Sequence, residues 1–236
     1  MLSLNEDIIL EICNKLNDHE KISFTSITQK LDLLKRKLIF INQIDVCKIQ
    51  NLPYFDRFES IILSKPETVP PKNAKNVYYR TNELVFPEFV THLTYYHDYG
   101  SSLHPPLIKI PDSVKYLTFG NYFNQNIDGC IPTSVAHLKF GVFFAHSIKN
   151  CIPNSVTDLT FGDDFDQDIS GNIPESVTDL TFGKSFNRSI DDIPKSVKNV
   201  TLHPRYNVYI EPNIAQRITI TKACRMRSID SILPPY

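Results

Sequence analysis

One phrase, Ile-Pro-x-Ser-Val, occurs five times in the second half of the chain, at Ile110–Val114, Ile131–Val135, Ile152–Val156, Ile173–Val177 and Ile193–Val197. The steps between its prolines are 21, 21, 21 and 20 residues. Self-similarity at that period specifies a stacked array, because one such unit cannot bury its apolar face alone and must cover it with its neighbours. Relaxing the rule to Pro with apolar residues at +3, +6 and +8 adds copies led by Pro71, Pro87 and Pro212, giving eight coils between about residues 70 and 222. Phe58, Ile61 and Leu63 keep the spacing without a proline and predict a degenerate coil ahead of these.

Within a coil, Leu117 and Phe119 alternate with one outward residue, the period of a strand with one buried face. Pro111 cannot donate a ladder hydrogen bond, so it belongs at the turn leading into that strand. Gly120, Gly141, Gly162 and Gly183 follow the strand and are expected at corners with positive φ. Phe123, Phe144, Phe165 and Phe186 then point inward, and Ile127, Ile148, Ile169 and Ile190 close the far side.

The pairs Phe123-Asn124 with Ile131-Pro132, and Phe186-Asn187 with Ile193-Pro194, resemble the FNIP repeat, a short leucine-rich-repeat-like unit. The resemblance runs from about residue 66 to 222 and implies a parallel β-solenoid. Ala145 stands where the motif has Asn or Asp, and the copies led by Pro71, Pro87 and Pro212 lack Ser-Val, so distortion is expected in the outer coils.

The first forty residues follow a helical period. Leu4, Ile8, Ile9, Ile12 and Leu16 predict an amphipathic helix, with Ser3 and Asn5 as capping candidates and Glu6 and Asp7 in its first turn. Ile22, Phe24 and Ile27, then Leu31, Leu33, Leu34 and Leu38, predict two more short helices. This order resembles an F-box, although Asn5 replaces the usual Pro and the chain contains no Trp. F-box modules followed by FNIP repeats are a known pairing, familiar in social amoebae and giant viruses of amoebae. The resemblance implies that Leu4, Asn5, Ile8, Ile12, Leu16 and Ile22 bind a Skp-type adaptor of a cullin-RING ubiquitin ligase. The same segment could instead only cap the first coil, since an open solenoid end exposes a sheet edge and core.

A net charge of −1 argues against binding nucleic acid through phosphate neutralisation, and Lys222, Arg225 and Arg227 read as a solvated tail. No apolar run approaches the roughly 20 residues that span a bilayer, and the N-terminus does not read as a signal peptide. Five cysteines at irregular spacing fit a reducing compartment, so a cytoplasmic location is expected, the host's if the chain is viral. Cys130 and Cys151 hold equivalent positions one coil apart, within reach of a bond but read here as small apolar filler. The histidines lack zinc spacings and no Gly-rich phosphate loop is present, so neither metal nor cofactor is expected.

The coil register also names the outward positions. Position +7 is a near-continuous threonine row broken by Lys139, a feature that suits an exposed strand by itself. Position +5 varies: Asn76, His92, Tyr116, His137, Asp158, Asp179, Asn199 and Arg217. Tyr116, Thr118, His137, Lys139, Asp158 and Asp179 form the expected substrate-binding strip, with Tyr116 as anchor. Asp158 and Asp179 could alternatively serve as the paired carboxylates of a polysaccharide hydrolase.

The fold expected is α+β: an F-box-like helical module over 1–45, a linker or degenerate coil over 46–69, a leucine-rich-repeat-like parallel β-solenoid of about eight coils over 70–222, and a tail over 223–236. The function expected is that of a non-enzymatic substrate receptor of an SCF-type ligase, monomeric outside the complex and binding neither membrane nor nucleic acid. A repeat-only scaffold with a capping N-terminus is the alternative, and the hydrolase a distant third.

Overall fold

The computed structural model describes residues 5–99 and 109–223, so Ser3, Leu4, His104, Arg225 and Arg227 lie outside the described residues. The fold is a parallel β-solenoid of about eight turns with a few N-terminal helices. The chain divides into two compact units, residues 1–79 and 80–236.

In the first unit, α1 (Glu6–Asn14) and α2 (Asp18–Thr25) are followed by a short α3 (Gln29–Asp32) that tightens into a 3-10 turn over Leu33–Arg36. The third helix is thus shorter than its apolar pattern predicted and splits in two. Asn17 and Glu20 form a capping box at the start of α2, each side chain accepting the other's backbone N–H at 3.0 and 2.9 Å. Strands β1 (Ile44–Asp45), β2 (Ser60–Leu63) and β3 (Asn76–Thr81) pair in parallel, with Ile61 opposite Val77 and Leu63 opposite Tyr79.

In the second unit, β4 (His92–Tyr95), β5 (Tyr116–Phe119), β6 (His137–Lys139), β7 (Asp158–Thr160), β8 (Asp179–Thr181), β9 (Asn199–Leu202) and β10 (Thr219–Lys222) pair in parallel in chain order. The core consists of two phenylalanine columns. Phe119, Phe140, Phe161 and Phe182 stack at 5.4 to 5.5 Å between ring centroids, and Phe123, Phe144, Phe165 and Phe186 at 6.2 to 6.3 Å. Tyr206 extends the second column, its hydroxyl donating to the Arg188 carbonyl at 3.0 Å.

The invariant residues of the repeated phrase each have a physical task, in every copy but one for the Ser. The Ile and Val side chains are buried, and the Val N–H closes a turn on the Pro carbonyl, as from Val135 to Pro132 at 3.2 Å. The Ser hydroxyl donates to the Val carbonyl of the preceding coil, from Ser134 to Val114 at 2.8 Å and from Ser155 to Val135 and Ser176 to Val156 at 2.7 Å. The motif's Asn or Asp accepts a backbone N–H from the next coil, from Ala145 to Asn124 at 3.0 Å and from Asn187 to Asp166 at 3.1 Å.

The strand-end glycines are not where the chain needs positive φ. That conformation falls instead on Gly129, Asn150 and Gly171, at the far corner. Gly120, Gly141, Gly162 and Gly183 are required by stacking: a Cβ on Gly162 would lie 1.8 Å from the Gly141 carbonyl oxygen, and one on Gly183 would lie 2.2 Å from that of Gly162. The 20-residue step drops one residue from the far corner between Ile190 and Ile193, where the earlier coils have four-residue steps. Ser196 is correspondingly buried without the inter-coil bond its counterparts make.

The last coil departs from its expected register. Pro212–Arg217 forms helix α4, which takes up two residues, so Thr219 rather than Arg217 lies opposite Asn199, and Ile220 lies opposite Val200. Arg217 is not an outward strand residue: its guanidinium donates to the carbonyls of Ile193, Pro194 and Val197 at 2.9 to 3.3 Å.

Candidate functional site

Two surfaces carry the candidate residues. On the helical module, Asn5 caps α1, its side chain accepting the Asp7 N–H at 3.4 Å. Helix α1 turns Cys13 fully inward, which leaves Ile8 and Ile12 48% and 41% exposed; Ile22 on α2 is 36% exposed and Leu16 half-buried. Helix α2 also holds a buried ion pair. Lys21 Nζ is 3.1 Å from Asp18 Oδ1 and donates to the Ile39 carbonyl at 2.8 Å, while Asn42 N–H donates to Asp18 Oδ2 at 2.6 Å. Each charge is thus compensated by a partner and by a backbone group, the condition under which burial is tolerated.

On the sheet of the second unit, strand register aligns His92, Tyr116, His137, Asp158, Asp179 and Asn199 in one row. His92, Tyr116 and His137 stack with their planes nearly parallel, 4.2 Å between successive centroids and tilted by 4° and 3°. His137 Nδ1 lies 3.0 Å from Asp158 Oδ2, which also accepts from the Thr157 hydroxyl at 2.8 Å. Asp179 accepts from Thr178 at 2.6 Å and from Asn199 Nδ2 at 2.8 Å, and those bonds hold its carboxyl below the usual carboxylate range. Burial, aided by nearby His137, lowers His92 to about 4, so its ring in the stack is neutral at pH 7. Lys139 sits between Thr118 and Thr160, half-buried, and burial pushes its ammonium down.

The row brings together the expected strip but alters two expectations. Tyr116 has His92 on one face and His137 on the other, so it presents an edge and a hydroxyl rather than an open ring. Asp158 is joined by a histidine from the preceding coil, which the repeat-by-repeat reading of its own coil missed. Sequence reasoning also passed over an exposed aromatic group beyond the strand ends, Tyr99, Tyr122 and Phe143, with centroids 5.2 and 5.3 Å apart. Tyr122 and Phe143 share position +11 of their coils, a signal the register already contained.

The FNIP Repeat family model matches residues 104–143, 144–185 and 169–205. Together these matches span the coils of β5 to β9. No curated protein matches it. Among solved structures it is similar to CroV588, described as "a novel circular LRR protein structure", at 27% identity and a TM-score of 0.50. The likeness covers 78% of this chain and 32% of that one, so this chain spans about a third of the other's length. An FNIP array on a leucine-rich-repeat-like solenoid fits a protein-interaction scaffold. Among the described residues, no cluster of three or more His, Cys, Asp or Glu could hold a metal ion, and no helix is long and apolar enough to cross a membrane.

Proposed function

We propose that this chain is the substrate-recognition subunit of an SCF-type cullin-RING ubiquitin ligase. Residues 1–45 bind a Skp-type adaptor, and the solenoid over 70–222 holds a protein substrate. The chain performs no bond chemistry; it works in the cytoplasm by holding substrate beside the transfer machinery. The observation that carries this reading is the exposure of Ile8, Ile12 and Ile22 on a module too small to spare apolar residues from its core. Ile8 and Ile12 lie one turn apart on α1, and an apolar helical face left in water is suited to seating in a partner's groove.

Copurification with the wild-type chain and with Ile8→Asp plus Ile12→Asp tests it. Adaptor and cullin should come with the wild type and be lost from the variant at unchanged melting temperature; their absence from the wild type sinks the reading. That second outcome would favour a repeat-only scaffold. The Asp18–Lys21 network supports this alternative, because it ties α2 to residues 39–42, just before β1.

On the solenoid, the strip formed by Tyr116, Thr118, His137, Lys139, Asp158 and Asp179 receives the substrate. Residues 152–183 contain seven Asp or Glu and no Lys, Arg or His. Asp158 and Asp179 are direct cross-strand partners, a like-charge contact that a cation relieves. The substrate segment is therefore basic where it crosses β7 and β8. Asp158→Asn with Asp179→Asn should abolish substrate capture and leave adaptor recovery intact, and capture by the wild type should weaken as salt rises.

A further inference from the structure

One outward row of the sheet is chemically uniform except at a single place. Pairing in register puts Thr94, Thr118, Lys139, Thr160, Thr181, Thr201 and Thr221 side by side on β4 to β10. Threonine suits such a row, since its branched side chain fits an outward strand position and its hydroxyl can bond across strands. Every other coil of the unit builds the row without a lysine, so the fold does not call for one at 139.

Lys139 is also a cation without an anion. Its side chain is half-buried, and burial pushes its ammonium down from the ordinary lysine value. Among the described residues, Lys139 Nζ makes no hydrogen bond and no ion pair, and the hydroxyls of Thr118 and Thr160, its partners on the flanking strands, make none either. The two carboxylates on the following strands are already bonded to other side chains, Asp158 to His137 and Thr157, and Asp179 to Thr178 and Asn199. A partly desolvated charge left uncompensated costs free energy, and a carboxylate bonded to it relieves that cost. Threonine hydroxyls can donate to the same carboxylate.

We propose that Lys139, with the hydroxyls of Thr118 and Thr160, is an anion-binding position that takes a carboxylate side chain of the substrate segment. Resting on the proposal that this sheet face is the substrate site, the position narrows the substrate to a segment acidic over β6 and basic over β7 and β8. Lys139 and Asp158 stand on adjacent strands, so the two signs are read from residues close together in one segment. Lys139 then rejects as well as binds. It repels a segment that is basic throughout, which Asp158 and Asp179 alone would accept, and such built-in repulsion is a source of specificity.

The test is selection of a random phage-displayed peptide library on the full chain, followed by binding measurements on synthetic copies of the enriched peptides. Peptides that combine an Asp or Glu with a nearby Lys or Arg are expected from the wild type. Lys139→Thr completes the threonine row and should melt no lower than the wild type, yet bind these peptides about tenfold more weakly or worse. Replacing the peptide's acidic residue by its amide should cause the same loss on the wild type and no further loss on Lys139→Thr. Selection on Lys139→Glu should enrich uniformly basic peptides instead. Wild-type selection of basic peptides that lack an acidic residue and bind Lys139→Thr equally well would overturn the anion position and leave the basic-substrate reading standing. Peptides indifferent both to Lys139→Thr and to Asp158→Asn with Asp179→Asn, or no enrichment at all, would overturn the two together.

Discussion

The helical module and the repeat coils keep their shape by opposite means. Each coil of β5 to β8 reuses the same inventory of two stacked phenylalanines, a Pro turn, a glycine under its neighbour and a Ser tie to the preceding coil, so loss of one tie leaves the rest in place. Among the described residues, the module has one ion pair with both partners buried, Lys21 with Asp18, while several of its isoleucines face outward. Redundancy makes stability close to a sum over neighbouring coils, whereas a lone buried pair makes the module depend on one contact. The difference also separates tasks: the coils bury their apolar residues and vary their polar ones, and the module exposes apolar residues.

The largest expected effect is in the coils, where backbone meets backbone. Gly162→Ala puts a methyl group where the Gly141 carbonyl lies and should prevent cooperative folding, seen as loss of the soluble, protease-resistant chain. If Gly162→Ala melts like the wild type, close stacking is not what these glycines serve. Next is Lys21→Met, which leaves Asp18 buried without its cation and should cost about 3–5 kcal/mol by chemical denaturation. A loss below about 1 kcal/mol would show that the module does not depend on the pair.

Smaller effects come from the repeated hydroxyl. Ser176→Ala removes a bond to the Val156 carbonyl and should cost about 1 kcal/mol, while Ser196→Ala removes an unpartnered buried hydroxyl and should be neutral or stabilising. Equal losses at the two sites would mean that the short step does not break the tie.

A further effect is a pH dependence. His92 is lowered to about 4 in the folded chain against an ordinary value near 6.5. The unfolded chain therefore takes up a proton first as pH falls. Its contribution to stability is full above about pH 6.5 and is lost progressively down to about pH 4. His92→Gln should flatten the melting temperature over that window, leaving the remainder to other groups.

Much of this was legible in the chain itself. The five Ile-Pro-x-Ser-Val phrases dictated the array, the buried Leu and Phe columns and the outward rows, because a repeat whose apolar groups recur at fixed offsets has only stacking as a way to bury them. The period of Ile8, Ile9 and Ile12 likewise announced helix α1, although it ends at Asn14 and leaves Leu16 beyond it. What the chain could not state was how neighbouring coils meet. Gly162 reads as a corner residue until the Gly141 carbonyl is seen beneath it, and Arg217 reads as a strand residue until α4 takes up two positions. His137 joins Asp158, and His92 and His137 enclose Tyr116, only once the strands lie in register. The residue pattern determined which side chains are buried and which face out, since burial follows local periodicity. Only tertiary structure decided which outward residues touch, since those contacts run between residues some twenty positions apart and depend on close backbone approach.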